Sequence, residues 1–305
     1  LHTWHGNVPG VPGAAGTADR VLIFRGYAKR VVTNRKFPST TVTFELAGSN
    51  QFIQRASFSR SIEWAPGLGH GGPTDMHEVM DHLIRGHTNI GSRSELGIYV
   101  DNHSTERFTL NQGTVYDMLK ACITNQIEGW VYFDREDNLQ VRVHPNLAPE
   151  SWANELANPK IDFDDDLVME WNIPEEYPFQ VASVSLQAIT SDLTDLTVIR
   201  YNGTSSLGSR DSVTGLRFDN EIALQRLAEL YMNHANRRFR GVTLSLPINV
   251  VVNIGDIVTC TMTDDFRGLS WSSKLFVVTD LSYSINTDKR QFKSSVPLDG
   301  IVVIV

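Results

Sequence analysis

The chain has 305 residues, 41% of them hydrophobic and 20% charged, a composition and length that fit two or three soluble domains with a sizeable core. Its 27 Lys and Arg are scattered and its net charge is −8, which argues against adhesive binding to nucleic acid but not against a duct that nucleic acid passes without sticking. No apolar stretch approaches the roughly 20 residues that span a bilayer, and two cysteines, Cys122 and Cys260, make no disulfide framework and fit assembly in a reducing compartment.

The N-terminus, LHTWHGNVPG, lacks an initiator Met and the basic-then-apolar layout of a signal peptide, so it reads as a processed or trimmed end. Residues 1–19, with Gly6, Gly10, Gly13 and Gly16 and no periodicity, predict an extended arm. From Arg20 the pattern turns to β-branched and aromatic alternation: RVLIFRGYAKRVV and TTVTFELAG flank TNRKFPS, predicting a hairpin or meander. In the second run Val42, Phe44 and Leu46 point one way and Thr41, Thr43 and Glu45 the other, as a half-buried strand requires.

GLGHGGPTDMHEVMDHLIRGH passes from a glycine-rich loop into a helix, with Met76, Val79, Met80, Leu83 and Ile84 on one face. Asp75 and Glu78 form a capping pair, and Gly86 stands at its end. GTVYDMLKACITNQ repeats that spacing with Val115, Met118, Leu119, Cys122 and Ile123. GWVYFDREDNLQVRV then places Asp134, Glu136 and Asp137 between two apolar runs, the layout of a hairpin with an acidic turn. Residues 145–182 are rich in Pro, Asp and Glu and read as a connection with short strands. FQVASVSLQAIT and LTVIRYNG alternate as strands, TSSLGSRDSVTG reads as a loop, and a third helix after Asn220 carries Leu224, Leu227, Ala228, Tyr231 and Ala235. VTLSLPINVVV, IVTCTMT, KLFVVTDLSYSI and RQFKSSVPL follow in quick succession, joined by tight turns, and predict a small antiparallel barrel.

Chemical readings of these stretches fail on spacing. A calcium loop begun at Asp134 has Leu139 at the glycine position and Pro145 in place of the bidentate Glu; begun at Asp162, it has Leu167 and Ile173 there. The helix with His77 and His82 resembles a zinc-protease motif, but at i, i+5 the two rings diverge by about 140° and cannot share an ion. His70 and His87 complete the same cluster, which reads as solvated surface histidines. No nucleophile elbow, phosphate loop or strand-linked G-x-G-x-x-G is present. Paired carboxylates for glycoside hydrolysis stay open, because such partners are distant in sequence. The sequons at Asn102 and Asn202 carry little information.

Taken in order, LIFRGYAKRVVTNRKFPSTTVTFELAGSNQF, TLNQGTVYDMLKACITNQIEGWVYFDREDNLQVRV, and NIGDIVTCTMT with KLFVVTDLSYSI resemble the tail hub, or baseplate hub, of tailed bacteriophages and related injection machines. The positions that carry the resemblance are Phe24 and Gly26; Thr114 to Leu119; Tyr132, Phe133, Asp134, Asn138 and Leu139; and Gly255, Asp256 and Val258. It covers most of residues 20–300 through motifs that are structural and individually weak; their order carries it. The resemblance implies an α+β, mainly β chain with two small antiparallel β-barrel domains and inserted mixed α/β domains. That gives an extended arm (1–19), a first barrel (20–65) that later strands could complete, an inserted α/β domain (66–182), a second mixed segment with one helix (183–240) and a C-terminal barrel (241–305).

It further implies a homotrimer in the virion at the tail tip, assembled in the host cytoplasm, whose barrels alternate around a channel for DNA. Expected partners are a distal tail or tube protein on one side and a tip, fibre or tape-measure protein on the other; no cofactor, metal ion or catalysis is implied. Candidate interface residues are Val250, Val251 and Val252, in an apolar run expected as a strand buried on both faces, and the terminal Ile301, Val302, Val303, Ile304 and Val305. Each of those five terminal side chains is worth about 1.5 to 3 kcal/mol when buried, so the segment either docks on a neighbour or is an interior strand of a longer chain. Two other functions stay open: a tail-associated cell-wall hydrolase using Glu78, Asp134 or Glu136, and a host carbohydrate-binding tail protein.

Overall fold

The computed structural model of the chain describes residues 2–4, 20–22, 27–36, 39–47, 50–56, 62–64, 74–75, 84, 97–99, 104–105, 108–110, 113–124, 129–133, 139–174, 181–190, 194–203, 208–218, 220–237, 241–247, 250–264, 269–286 and 291–302. Strands β1 (His2–Trp4) and β2 (Arg20–Leu22) pair antiparallel. The predicted hairpin is β3 (Tyr27–Lys36) with β4 (Ser39–Ala47), in an antiparallel register that sets Val31 opposite Phe44 and Thr33 opposite Val42. Helix α1 (Asn50–Arg55) precedes five short strands: β5 (Ile62–Trp64), β6 (Thr74–Asp75), β7 (Gly97–Tyr99), β8 (Ser104–Thr105) and β9 (Phe108–Leu110). The helix predicted between Asp75 and Gly86, with its histidines, lies outside the described residues except for Ile84, which is helical and buried.

Helix α2 (Val115–Thr124) forms where its spacing predicts. Thr114 caps it: the Asp117 backbone N–H donates to Thr114 Oγ1 at 3.1 Å, and the Thr114 hydroxyl donates back to Asp117 Oδ2 at 2.7 Å. The next run is the hairpin β10 (Gly129–Phe133) and β11 (Leu139–Val143), whose last pair, Phe133 and Leu139, leaves Asp134–Asn138 as its connection. The three acids of that connection lie outside the described residues. Strand β7 adds in parallel to β11, and Val115, Met118, Leu119, Leu139, Val141 and Val143 share one core with Ile53 and Ile84.

The connection after β11 is more ordered than its composition indicates. A 3-10 turn (Pro149–Trp152) runs into helix α3 (Ala153–Ala157), driven by Trp152, which is fully buried with Nε1 donating to the Val143 carbonyl at 2.9 Å. Short strands β12 (Asp162–Phe163) and β13 (Glu170–Asn172) follow. Then β14 (Val181–Ile189), β15 (Asp195–Tyr201) and β16 (Ser209–Arg217) make a three-stranded sheet with β14 central, antiparallel to β15 and parallel to β16. Much of the predicted loop TSSLGSRDSVTG is therefore strand β16. Its polar, mostly exposed residues carry no apolar alternation, and the pairing with β14 overrides their weak intrinsic preference. Helix α4 (Glu221–Ala235) covers one face, capped by Asn220 Oδ1 accepting from the Ile222 N–H at 2.9 Å.

The final third supplies β17 (Val242–Pro247), β18 (Ile257–Asp264), β19 (Leu269–Val278), β20 (Ser282–Asn286) and β21 (Gln291–Gly300). They form a seven-stranded sheet in the order β12-β18-β19-β21-β17-β13, with β20 also paired to β21. A bulge opposite Thr261, with Ser273 at φ 49°, bends β18 and β19. The run expected as a strand at 250–252 is not one: β17 ends at Pro247, which has no N–H to continue a ladder, and the Val250 N–H donates back to the Pro247 carbonyl at 3.0 Å.

Among the described residues this sheet is an open path, yet its two outermost strands, β12 and β13, are consecutive in sequence. The turn between them bridges the two ends. The Thr263 N–H of β18 donates to Asp165 Oδ2 at 3.3 Å, and the Met169 N–H donates to the Ser245 carbonyl of β17 at 2.9 Å. Inside the curl lies a core of Phe163, Val242, Leu244, Val258, Cys260, Trp271, Phe276, Val296 and Leu298. The architecture is α+β and mainly β.

Candidate functional site

The densest polar arrangement is buried where three distant parts of the chain meet: the segment after β11, the end of α4, and the end of β21. Asn146 sits at its centre. Its Oδ1 accepts from the Val302 N–H at 2.8 Å, so Nδ2 is the donor, 3.1 Å from the Gly300 carbonyl and 3.1 Å from His234 Nδ1. His144 Nδ1 accepts from the Asn146 N–H at 3.1 Å, which places its ring proton on Nε2, facing Asp299 Oδ2 at 3.5 Å. Arg237 grips Asp299 with both arms, Nε to Oδ1 at 2.8 Å and Nη2 to Oδ2 at 2.7 Å, while its Nη1 donates to the His234 carbonyl at 2.6 Å.

The electrostatics favour a fixed joint over a reactive centre. Burial pushes the His144 imidazole down to about 4, against the opposing contact with Asp299, so it is neutral at pH 7. Burial alone would raise the Asp299 carboxyl, but its contacts with His144 and Arg237 outweigh that and hold it well below the usual carboxylate range. The His144 and His234 rings meet edge-on at 4.4 Å, and both are 1% exposed, leaving no face for a substrate. Trp130 packs on His144 and on Trp152, and the Arg142 guanidinium lies 3.3 Å from the centroid of Trp152 with Nη2 on Glu155 Oε1 at 2.8 Å. Sequence reading passed over these residues. The available signal is three polar side chains, Arg142, His144 and Asn146, set among apolar residues from Val141 to Ala148.

A second joint involves the Gly-Asp pair before β18. Gly255 has φ +85° and its N–H donates to the Val278 carbonyl at 2.7 Å, while a side chain at that position would collide with Tyr132 of β10. Asp256 accepts from the Asn253 N–H at 2.6 Å and pairs with Lys160 Nζ at 2.9 Å. Two motifs more than a hundred residues apart thus form one contact.

The predicted interface residues fall in different places. Val250 and Val252 are buried in the core of the seven-stranded sheet, and Val251 between them is half-buried. Ile301 is buried against Trp152, Ile257 and Val277, and Val302 is tied by its N–H to Asn146; residues 303–305 lie outside the described residues. Among the described residues, the exposed large apolar side chains are Val31, Met169, Ile189, Ile199, Tyr201 and Ile222. In the acidic run, Asp162 accepts from the Thr261 hydroxyl and Asp164 from the Leu167 N–H; among the described residues no three His, Cys, Asp or Glu converge to hold a metal ion. Cys260 is a free, buried thiol whose ionisation burial suppresses. No described helix is long and apolar enough to cross a membrane.

The chain matches no protein-family profile and no curated protein sequence. It is similar in structure to a tail protein from Neisseria meningitidis MC58, across 90% of this chain and 79% of that one, with a TM-score of 0.64 and 14% identity. It is also similar to the 43 kDa tail protein of prophage MuSo2 from Shewanella oneidensis, across 91% and 77%, with a TM-score of 0.56 and 10% identity. The chain has the fold of these tail proteins.

Proposed function

We propose that this chain is a structural tail hub of a tailed bacteriophage or phage-like particle, a ring component that joins the tail tube to the tail tip and lets DNA through. The observation that carries the reading is the fold: nine-tenths of the chain follows that of a tail protein. The domain order expected from sequence goes with it. In this reading the seven-stranded sheet, whose ends the Asp164–Met169 turn bridges, acts as the C-terminal barrel of each subunit. The first barrel comes from the N-terminal strands, and the α/β segments lie between. Three copies, each of charge −8, carry three times that, −24. Part of this charge facing the channel repels DNA and keeps the passage free of adhesion. The partners are a tube or distal tail protein above and a tip, fibre or tape-measure protein below, in the virion tail.

The buried joints suit a part that must hold its shape under strain. His144, Asn146, His234, Arg237 and Asp299 spend their polarity on holding three segments of one subunit together. Native mass measurement of the purified protein tests the proposal, with a homotrimer as the expected result and a monomer that binds no tail protein as the result that overturns it. The same preparation incubated with bacterial cell wall should release no fragments. Release that disappears on mutating Glu78, Asp134 or Glu136 would make the chain a hydrolase instead.

A further inference from the structure

We infer that the ring closes head to tail, with the β3–β4 ribbon of one copy docking on the acidic turn between β12 and β13 of the next. This rests on the ring reading above and adds the contact that would build it.

The two surfaces are opposite in charge and alike in form. The ribbon Tyr27–Ala47 holds Lys29, Arg30, Arg35 and Lys36 against a single acid, Glu45, a net of +3 in a chain of net −8. Asp162–Glu170 holds Asp162, Asp164, Asp165, Asp166 and Glu170 and no base. Among the described side chains, each also presents a large apolar group to solvent beside its charges: Val31 is 53% exposed, with exposed Arg30 and Arg35, and Met169 is 62% exposed, with exposed Asp166 and Glu170. Among the described residues, Arg30, Arg35, Asp166 and Glu170 form no ion pair within the chain.

Position adds to charge. Among the described residues the ribbon is a two-stranded sheet that pairs with nothing else, a form that is marginal in water without support. At about 3.3 Å per residue its ten-residue strand reaches roughly 33 Å, enough to cross a subunit boundary. The acidic turn connects the two outermost strands of the open seven-stranded sheet, and β12 and β13 at those ends are only two and three residues long. Because ribbon and turn are different patches of one chain, their contact is heterologous, and heterologous contacts generate rings when the rotation closes.

The test is the oligomeric state of the full chain by native mass spectrometry and sedimentation, at low salt and near 1 M salt, for three charge-reversed variants. Arg35→Glu/Lys36→Glu reverses the ribbon, and Asp166→Lys/Glu170→Lys reverses the turn while sparing the Asp164 and Asp165 hydrogen bonds. The third carries all four changes. We expect each two-residue reversal to weaken assembly at least about tenfold, the four-residue variant to recover to within about threefold of wild type, and wild-type assembly to weaken as salt screens the contact. Thermal melts matching wild type show that the variants are folded. Assembly that survives both two-residue reversals, or is not restored in the four-residue variant, overturns this contact and leaves the ring reading standing. A wild type that is monomeric at every salt concentration overturns both.

Discussion

Tyr132 of the β10–β11 hairpin lies directly over the backbone of Gly255, where the chain turns into β18. The hairpin motif and the Gly-Asp motif, separate signals in the sequence, are the two halves of one contact. Glycine is required there for two reasons: φ is +85°, and a Cβ would enter the space of the tyrosine ring and hydroxyl.

Gly255→Ala should therefore destabilise the fold by about 2 to 5 kcal/mol, the sum of a left-handed backbone penalty and overpacking. Urea unfolding of Gly255→Ala, Tyr132→Ala and the double variant checks the mechanism. The double variant should cost less than the sum of the singles, because removing the ring relieves the clash.

Asn146 is replaceable by no other side chain of its size without loss. Asn146→Leu strands the Val302 N–H and the Gly300 carbonyl in a buried place, at about 1 to 3 kcal/mol for each group. Hydrogen exchange should show the Val302 amide losing its protection before the amides of β21.

Acid should weaken the protein in two stages. His144 binds a proton near 6.5 when unfolded and only near 4 when folded, so between those values the unfolded state holds more protons and stability falls as pH falls, by up to about 1.4 kcal/mol per unit. Asp299 is held below its ordinary carboxylate range, so its contribution is present above about 4 and is lost below that. Chemical denaturation at a series of pH values should show both stages; His144→Gln should flatten the upper one and, by removing one of the contacts that hold the Asp299 carboxyl down, reduce the lower one, which the Arg237 contacts still support.

Cys260 should stay unmodified when the folded protein is treated with a thiol reagent at pH 8 and react once it is unfolded, because burial both suppresses its thiolate and blocks access. Peptide mass mapping reads that site separately from Cys122.

Much of this architecture was legible where one face of an element is buried. The alternation of β14 and the apolar face of α4 follow directly from burial on one side, and Asn220 and Thr114 mark helix starts by their capping chemistry. The resemblance to tail hubs was carried by residues whose spacing reflects real joints, Gly255 with Tyr132 among them. What stayed hidden depends on partners far along the chain. Strand β16 is polar and exists through its pairing with β14, and β12 and β13 are too short to show any period. The Val250–Val252 run looks like a two-faced strand, but Pro247 ends the ladder and two of its valines lie in the core of the seven-stranded sheet. The polar joint at Asn146 joins residues 88 and more than 150 positions away, a distance over which local pattern says nothing.

Strand β21 is hydrogen-bonded to β17, β19 and β20 and occupies the middle of the seven-stranded sheet, yet it follows every other strand of that sheet in the chain. Until it emerges, β17 and β19 are bare edges around an unfilled greasy interior, and β12 and β13 have no finished sheet to join. Synthesis therefore passes through an interval in which nascent chains can stick to one another, and deletion of β21 should yield insoluble product rather than a shortened soluble one.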